Sequence, residues 1–199
     1  MPRVPVGHPQ GCTPLLCLHR GGRAASCIAK PARVSDVNID PTRRPAVSSD
    51  QTRPPEVHAA HLDELSPRAL LGILAVRQDV FVVEQNCAYP DIDARDVEAE
   101  TLHLWIEDSD GRVLSTLRLL RESDGAHRIG RVATLAAARG RSYSGALLRR
   151  AIELSGPPIV LSAQAYLVDW YARCGFEVCG ERWIEDGIEH APMRLDIRP

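Results

Sequence analysis

Lysine is nearly missing from this sequence, since Lys30 stands alone against 23 arginines. Long apolar runs are missing as well, and none approaches the roughly 20 residues that a membrane-spanning helix needs. The run at residues 14–18 is too short for the apolar core of a signal peptide, which takes about 7–15 residues. The sequence therefore predicts neither a membrane partner nor a secretory signal.

Cysteine is present, but without the spacing that disulfide scaffolds or zinc sites use. The six cysteines divide evenly between residues 1–55 and the rest of the chain, and no Cys-x-x-Cys pair occurs. Cys87, Cys174 and Cys179 have apolar or small neighbours in the sequence, where a free cysteine acts as a small hydrophobic residue. We therefore predict a reduced, cytoplasmic protein without a metal site.

Charge and residue composition both change near residue 55. Residues 1–55 carry eight basic and three acidic residues, whereas residues 56–199 carry 16 basic and 23 acidic ones. The first part is rich in Pro, Gly, Arg and Ser without an apolar stripe, which predicts a disordered basic tail. The acidic second part is predicted to be the folded domain; its charge argues against nucleic-acid binding and favours a cationic substrate.

Residues 56–199 alternate between helical and strand periods. Ser66-Pro67 is typical of a helix start, and helical spacing returns after Ala146 and Ala165. Residues 80–83 fit either the end of the first helix or the start of a strand. Strands are predicted at residues 102–107, 112–120, 127–134, 159–162, 176–180 and 190–197. This order predicts an α+β fold with helices covering a sheet.

The most informative segment is the loop at residues 139–145 and the helix that follows it. Small residues and two arginines precede the helix, whose first N–H groups and positive dipole end suit a pyrophosphate. The loop lacks the Gly-Lys-Ser/Thr ending of a nucleotide P-loop.

Five stretches resemble the GNAT superfamily of N-acetyltransferases. Residues 139–148, Arg-Gly-Arg-Ser-Tyr-Ser-Gly-Ala-Leu-Leu, resemble its acyl-CoA pyrophosphate loop, and residues 170–176 resemble its aromatic-Tyr-x-x-x-Gly-Phe element. Residues 77–85, 163–168 and 185–190 resemble the ElaA-type branch in particular. The resemblance implies a GNAT-like, mostly antiparallel central sheet flanked by helices. It also implies transfer of an acetyl group from the cosubstrate acetyl-CoA to a small-molecule or peptide amine.

The resemblance also assigns roles to individual residues. Backbone groups of Val132, Ala133 and Thr134 would pair with the pantetheine arm of CoA, and Tyr171 would protonate the leaving thiolate. The residues that would hold the pyrophosphate are Arg139, Gly140, Arg141, Ser142, Ser144 and Gly145. Both loop positions where the family favours glycine are serine here, Ser142 and Ser144. An acyl-CoA-binding module with little turnover is therefore the alternative function.

The general base is left open at this stage. Many GNAT proteins carry a glutamate on the strand predicted at residues 127–134, but this strand has none. Glu84, His103 and His190 are the candidates, and the two histidines are also expected to contact the substrate. Desolvation in an apolar run would raise the pKa of Glu84. Asp91, Asp93 and Asp96 could bind a cationic substrate or calcium, but their spacing lacks the later glycine and glutamate of an EF-hand, which favours a solvated loop. A homodimer remains open as the oligomeric state.

Overall fold

The computed structural model describes residues 55–196, which form an eight-stranded sheet with helices on both faces. Residues 1–54 of the predicted tail lie outside the described part. The strands are β1 His58–Ala60, β2 Leu102–Glu107, β3 Val113–Arg121, β4 His127–Thr134, β5 Ile159–Gln164, β6 Glu177–Val178, β7 Trp183–Glu185 and β8 Ile188–Leu195. The α-helices are α1 Pro67–Arg77, α2 Tyr143–Ser155 and α3 Val168–Ala172.

Local signals begin and end these elements where the sequence predicts. The Ser66 side chain accepts a hydrogen bond from the Ala69 amide at 3.1 Å, and Pro67 occupies the first position of α1. Gly111 takes a positive φ in the turn between β2 and β3, and Gly156 ends α2 in the same way. The ambiguous run at residues 80–83 continues α1 as a π-helical turn, Gln78–Glu84.

Two apolar clusters hold the helices against opposite faces of the sheet. Leu117, Ile129 and Leu161 point to the face that α2 and α3 cover, where Leu147 and Phe176 are buried. Ile73 and Val76 of α1 cover the other face, packing in a cluster with Trp105 and Ala133. Burying both faces removes water from most of the sheet and stabilises the layered arrangement.

The sheet has the order β1-β2-β3-β4-β5-β8-β6, and β7 pairs with β8 outside this path. Every pairing is antiparallel except that of β4 with β5. This parallel pair is short, joining His127–Ile129 to Ile159–Leu161. Beyond these residues the two strands separate. A cleft opens where they part.

The predicted fold class is confirmed, and most strand bounds lie within two residues of the expectation. The differences concern short edge elements. β1 and β7 have three residues each, too few for an alternating pattern to stand out, and β6 shrinks to two residues. Among residues 55–196, no helix is long and apolar enough to span a bilayer.

Candidate active site

The cleft between β4 and β5 has a volume of about 590 Å³. The π-helical turn and the residues after it form one wall, and the turn joining β7 to β8 forms the other. Its floor is the strand surface of β3, β4, β5 and β8. The structure brings several sequence-predicted residues to this cleft: Glu84, Val132, Ala133, Thr134, Arg139, Ser144, Tyr171 and His190.

A β-bulge shapes the β4 side of the cleft. The pairing of β3 with β4 shifts register between Thr116 and Arg118, so one residue of β3 faces two of β4. Arg131 sits at the bulge with φ of 53°, a left-handed conformation that is uncommon for a residue with a side chain. After the bulge, β4 pairs with β3 only. The opposite edge of residues 132–134 therefore faces the cleft without a partner strand, and of its backbone groups the Thr134 carbonyl accepts a hydrogen bond from Arg139 Nε at 3.1 Å.

The loop before α2 has the conformation of an anion-binding helix start. Gly140 and Ser142 both take a positive φ, 77° and 61°, and Ser142 is the N-cap of α2. Within residues 55–196, the amides of Tyr143, Ser144 and Gly145 have no hydrogen-bond acceptor. The Ser142 hydroxyl makes no capping bond either. Three amides and the dipole of a 13-residue helix thus remain available to an anion.

The two serines that replace glycine have different surroundings. Ser142 is exposed, whereas Ser144 lies in the cleft and its Oγ is 2.8 Å from Thr134 Oγ1. Thr134 Oγ1 is in turn 2.7 Å from Ser115 Oγ, which donates to the Ala133 carbonyl. This chain of hydroxyl groups ties the start of α2 to the open part of β4.

The structure corrects the expectation for Glu84. Its carboxylate is about half exposed and accepts a hydrogen bond from Arg139 Nη2 at 2.6 Å. That bond lowers the pKa of Glu84 instead of raising it. A base with a lowered pKa holds its proton poorly at neutral pH, so Glu84 is a poor general base. Arg139, predicted to bind phosphate, is occupied by this carboxylate and by the Thr134 carbonyl.

Tyr171 lies beneath the cleft at the C-terminal end of α3. Its ring packs edge-to-face on Trp170 and Phe176, with centroids 4.7 and 5.9 Å away, and the residue is 5% exposed. Among residues 55–196, its hydroxyl has no hydrogen-bond partner, although the residue lines the cleft. Burial raises the pKa of Tyr171, so the phenol keeps its proton.

The two candidate histidines lie in different environments. His103 points to the cleft face of the sheet, but the turn Ala94–Val97 covers it and its Nε2 lies 3.0 Å from the Asp96 carbonyl. It is 1% exposed, and burial lowers its pKa. The expectation that His103 contacts substrate is therefore wrong. The strand alternation gave the correct face but could not show the covering turn.

His190 lines the cleft in a defined orientation. Its Nδ1 lies 2.9 Å from the Ile188 carbonyl, and its ring stacks on Trp183 with centroids 5.8 Å apart. A carbonyl can only accept, so Nδ1 carries the proton when the ring is neutral. Nε2 is then left with a lone pair for a proton from a substrate.

Three aspartates that the sequence suggested were solvated instead hold a network of arginines. Arg77 Nε bonds Asp91 at 2.7 Å, and Arg77 Nη1 bonds Asp96 at 2.7 Å, while Asp91 and Asp96 are nearly buried. The complete network pairs three arginines with three aspartates: Arg77, Arg118, Arg131, Asp91, Asp93 and Asp96. Burial opposes ionisation of Asp96, but hydrogen bonds from Arg77, the Asp93 amide and Arg118 outweigh it and lower its pKa.

Sequence reasoning missed the arginine members of this network. Arg77 ends α1, Arg118 lies in β3 and Arg131 marks the bulge of β4. These arginines are too far apart in sequence to form a local motif, so only the folded sheet brings them together. Within residues 55–196, no group of three or more His, Cys, Asp or Glu side chains is arranged to hold a metal ion.

A side-chain contact joins the wall that follows the π-helical turn to the floor of the cleft at the end of β5. The side-chain amides of Gln85 and Gln164 contact each other at 3.2 and 3.4 Å, and the Tyr166 hydroxyl donates to Gln164 Oε1 at 2.6 Å. Gln85 follows the π-helical turn, and Gln164 ends β5.

The splayed strands, the bulge and the open helix start agree with comparisons to known proteins. Residues 75–197 match the family described as the acetyltransferase (GNAT) domain. The chain belongs to the GNAT family. A UPF0039 protein of Mycobacterium tuberculosis is 47% identical over 140 residues, covering 68% of this chain and 88% of the relative. Escherichia coli ElaA is 35% identical over 146 residues, covering 69% of this chain and 94% of ElaA.

Solved structures of GNAT proteins place the chain in the same branch. An acyl-CoA N-acyltransferase from Pseudomonas aeruginosa superimposes with a TM-score of 0.67 and 37% identity, covering 71% of this chain and 99% of that structure. The crystal structure of E. coli ElaA gives a TM-score of 0.66 and 33% identity, covering 72% of this chain and all of ElaA. The resemblance to ElaA is confirmed. Membership of the GNAT family makes acyl transfer from an acyl-CoA the reaction class.

Proposed function

We propose that this GNAT protein transfers an acetyl group from acetyl-CoA to an amine. The observation that carries the proposal is the junction of two unpaired sets of backbone amides. The open edge of β4 at residues 132–134 contacts the start of α2, where the free N–H groups lie, through the Thr134 and Ser144 hydroxyls at 2.8 Å. A pantetheine arm pairs with the former like an added strand, and a pyrophosphate binds the latter.

The side chains of the cleft supply the proton transfers. The amine nitrogen attacks the thioester carbonyl, the C–N bond forms, and the C–S bond breaks. Nε2 of His190 takes the proton that the amine loses, because its other nitrogen is tied to the Ile188 carbonyl. The hydroxyl of Tyr171 donates a proton to the leaving thiolate. Glu84 is left out of this scheme because Arg139 holds its charge.

The alternative is a domain that binds acyl-CoA without turnover, which was suggested by serine at the two loop positions. Ser142 adopts the left-handed conformation that glycine would supply, and Ser144 contacts Thr134. These two observations support a loop that keeps its shape despite the substitutions. We therefore favour the enzyme.

Two measurements on the purified chain test the proposal. Calorimetry with acetyl-CoA should show binding, and release of free CoA thiol should follow addition of amines from a panel of small molecules and peptide N-termini. His190→Gln should bind acetyl-CoA normally but lose about 10²-fold in turnover. Binding without thiol release for any amine would favour the binding module, and no binding at millimolar ligand would overturn both functions.

A further inference from the structure

The floor of the cleft has a gap beside the bulge that no side chain fills. Gly130 lies in β4 on the cleft side, and a Cβ added there would meet no atom within 4 Å. Its φ is ordinary, so the backbone does not require glycine at this position. Glycine here therefore leaves room, next to the strand edge assigned to acetyl-CoA.

Two arginines are the neighbours of Gly130 on this face of the sheet. Arg118 is the partner of Gly130 across β3 and β4, and Arg128 precedes Gly130 by two residues on the same face of β4. Directly paired residues on neighbouring strands have Cβ positions about 4.5–5.5 Å apart, and alternate residues of one strand share a face. Both side chains line the cleft.

Both guanidinium groups have donors that the protein does not use. Arg118 bonds Asp93 and Asp96 through its terminal nitrogens, but its buried Nε has no partner among residues 55–196. The Arg118 side chain is 6% exposed. Arg128 bonds Glu122 through Nε, while both of its terminal nitrogens have no partner among the described residues. An arginine has five N–H donors, so Arg128 retains four.

Unused donors beside an empty volume are the features of an anion site. Planar guanidinium groups bind a carboxylate through two parallel hydrogen bonds. A buried donor without an acceptor costs free energy, and an anionic ligand group would offset that cost. Across the cleft, the walls carry the carboxylates of Glu185 and Asp186 and the imidazole of His190. A positive amino group suits that side.

We propose that the acceptor is an amine that also carries a carboxylate, held by Arg128 above Gly130 with its amino group directed to His190. This inference rests on the proposed function, because it names the substrate class of the same site. It changes the expectation drawn from net charge, which favoured a cationic substrate. The formal charge of the whole domain is a poor guide here, since the acidic residues near the floor are already paired with arginines.

The first test compares matched acceptors. Linear amino acids with a terminal amine and a terminal carboxylate, of increasing spacer length, are assayed against the corresponding carboxamides. We expect kcat/KM to favour the carboxylate by about tenfold or more at the best spacer length. Arg128→Gln should remove this preference, and Arg128→Lys should restore only part of it because lysine keeps the charge without the fork. Acetyl-CoA affinity should be unchanged in both variants.

Arg121→Gln is the matched control, because Arg121 is an exposed β3 arginine outside the cleft. It should keep the full preference. Gly130→Ala is a second, independent variant that fills the gap with one methyl group. It should raise KM for the carboxylate acceptors while leaving acetyl-CoA affinity unchanged. Equal kcat/KM for carboxylate and carboxamide in the wild type, or a preference that survives in Arg128→Gln, would overturn the inference.

A binding measurement keeps the inference separate from the proposed function. Calorimetry with amine-free carboxylates of the same chain lengths needs no turnover. Weak binding to the wild type that disappears in Arg128→Gln supports the anion site even if no thiol is released. If acetyl-CoA binds and amines react, but carboxylates neither bind nor react better than amides, the anion site is wrong and the transferase remains.

Discussion

The two ends of the cleft are built from different chemical groups. The end assigned to acetyl-CoA consists of main-chain amides, on the open edge of β4 and at the first turn of α2. The end assigned to the acceptor consists of side chains, mainly the arginines on the floor and His190 on β8. Backbone amides can bind a ligand in any sequence that adopts the right conformation, whereas side chains differ between sequences and select a substrate. The proposed cosubstrate site is therefore general, whereas the proposed acceptor site is particular to this chain.

The largest effect should come from a substitution of Tyr171. Tyr171→Phe keeps the ring that packs on Trp170 and Phe176 and removes only the hydroxyl. We expect turnover to fall by about 10²–10³-fold with acetyl-CoA affinity and thermal stability nearly unchanged. Stopped-flow or steady-state thiol release gives the rate, and calorimetry gives the affinity. Full turnover in a folded variant would remove Tyr171 from the mechanism.

The acceptor end should depend on the arginine–aspartate network for its stability. Asp96→Asn removes a charged partner from two buried arginines, Arg77 and Arg118. We expect a loss of about 3 kcal/mol in the free energy of unfolding, measured in urea. Asp110→Asn is the control, since Asp110 lies in an exposed turn. Equal stability of the two variants would contradict a structural role for the network.

The same network sets the acid sensitivity of the protein. The pKa of Asp96 is lowered in the folded state, and the pKa of Asp93 is lowered too, with burial opposing and Arg118 outweighing it. A lowered pKa contributes stability that is fully present above the unfolded value of about 3.9 and is lost as pH falls below it. Unfolding curves at pH 7 and at about pH 3 should therefore differ less for Asp96→Asn than for the wild type.

Substitutions at the cosubstrate end should have smaller effects, because the main-chain groups that form this end stay the same when a side chain is replaced. Glu84→Gln removes the carboxylate that holds Arg139 and leaves this arginine available to phosphate. We expect acetyl-CoA to bind about two- to fivefold more tightly, which corresponds to the release of one exposed ion pair. Turnover should be retained. A large loss of turnover would instead return Glu84 to the role of general base.

The smallest effect concerns the strained serine before α2. Ser142 has a positive φ, so Ser142→Gly should relieve backbone strain in the folded chain. We expect a gain of about 1 kcal/mol in stability and a change of less than about threefold in acetyl-CoA affinity. Ser144→Gly is the comparison, because it removes the hydroxyl bond to Thr134 instead. A clear loss of affinity in Ser142→Gly would show that its hydroxyl contacts the phosphate.

The amino-acid sequence by itself determined the local elements that form the cosubstrate end. Helix starts, turn glycines, strand alternation and the small-residue loop are local signals, and neighbours along the chain produce them. The strands at residues 102–107 and 127–134 and the position of the loop before α2 were therefore predictable. Tyr171, whose motif is continuous in sequence, lies at the cleft, and its catalytic role stays a prediction.

The tertiary structure alone decided the acceptor end and the contacts between residues that are distant in sequence. The pairing of Glu84 with Arg139 spans 55 residues, and the burial of His103 depends on a turn that crosses from another part of the chain. Arg128, Gly130 and Arg118 come together only through the register of β3 and β4. A bulge shifts that register by one residue, and a shift of one residue reverses which face a side chain takes. Local periodicity carries no information about such pairings, so the charges that we propose select the acceptor become visible only in the folded sheet.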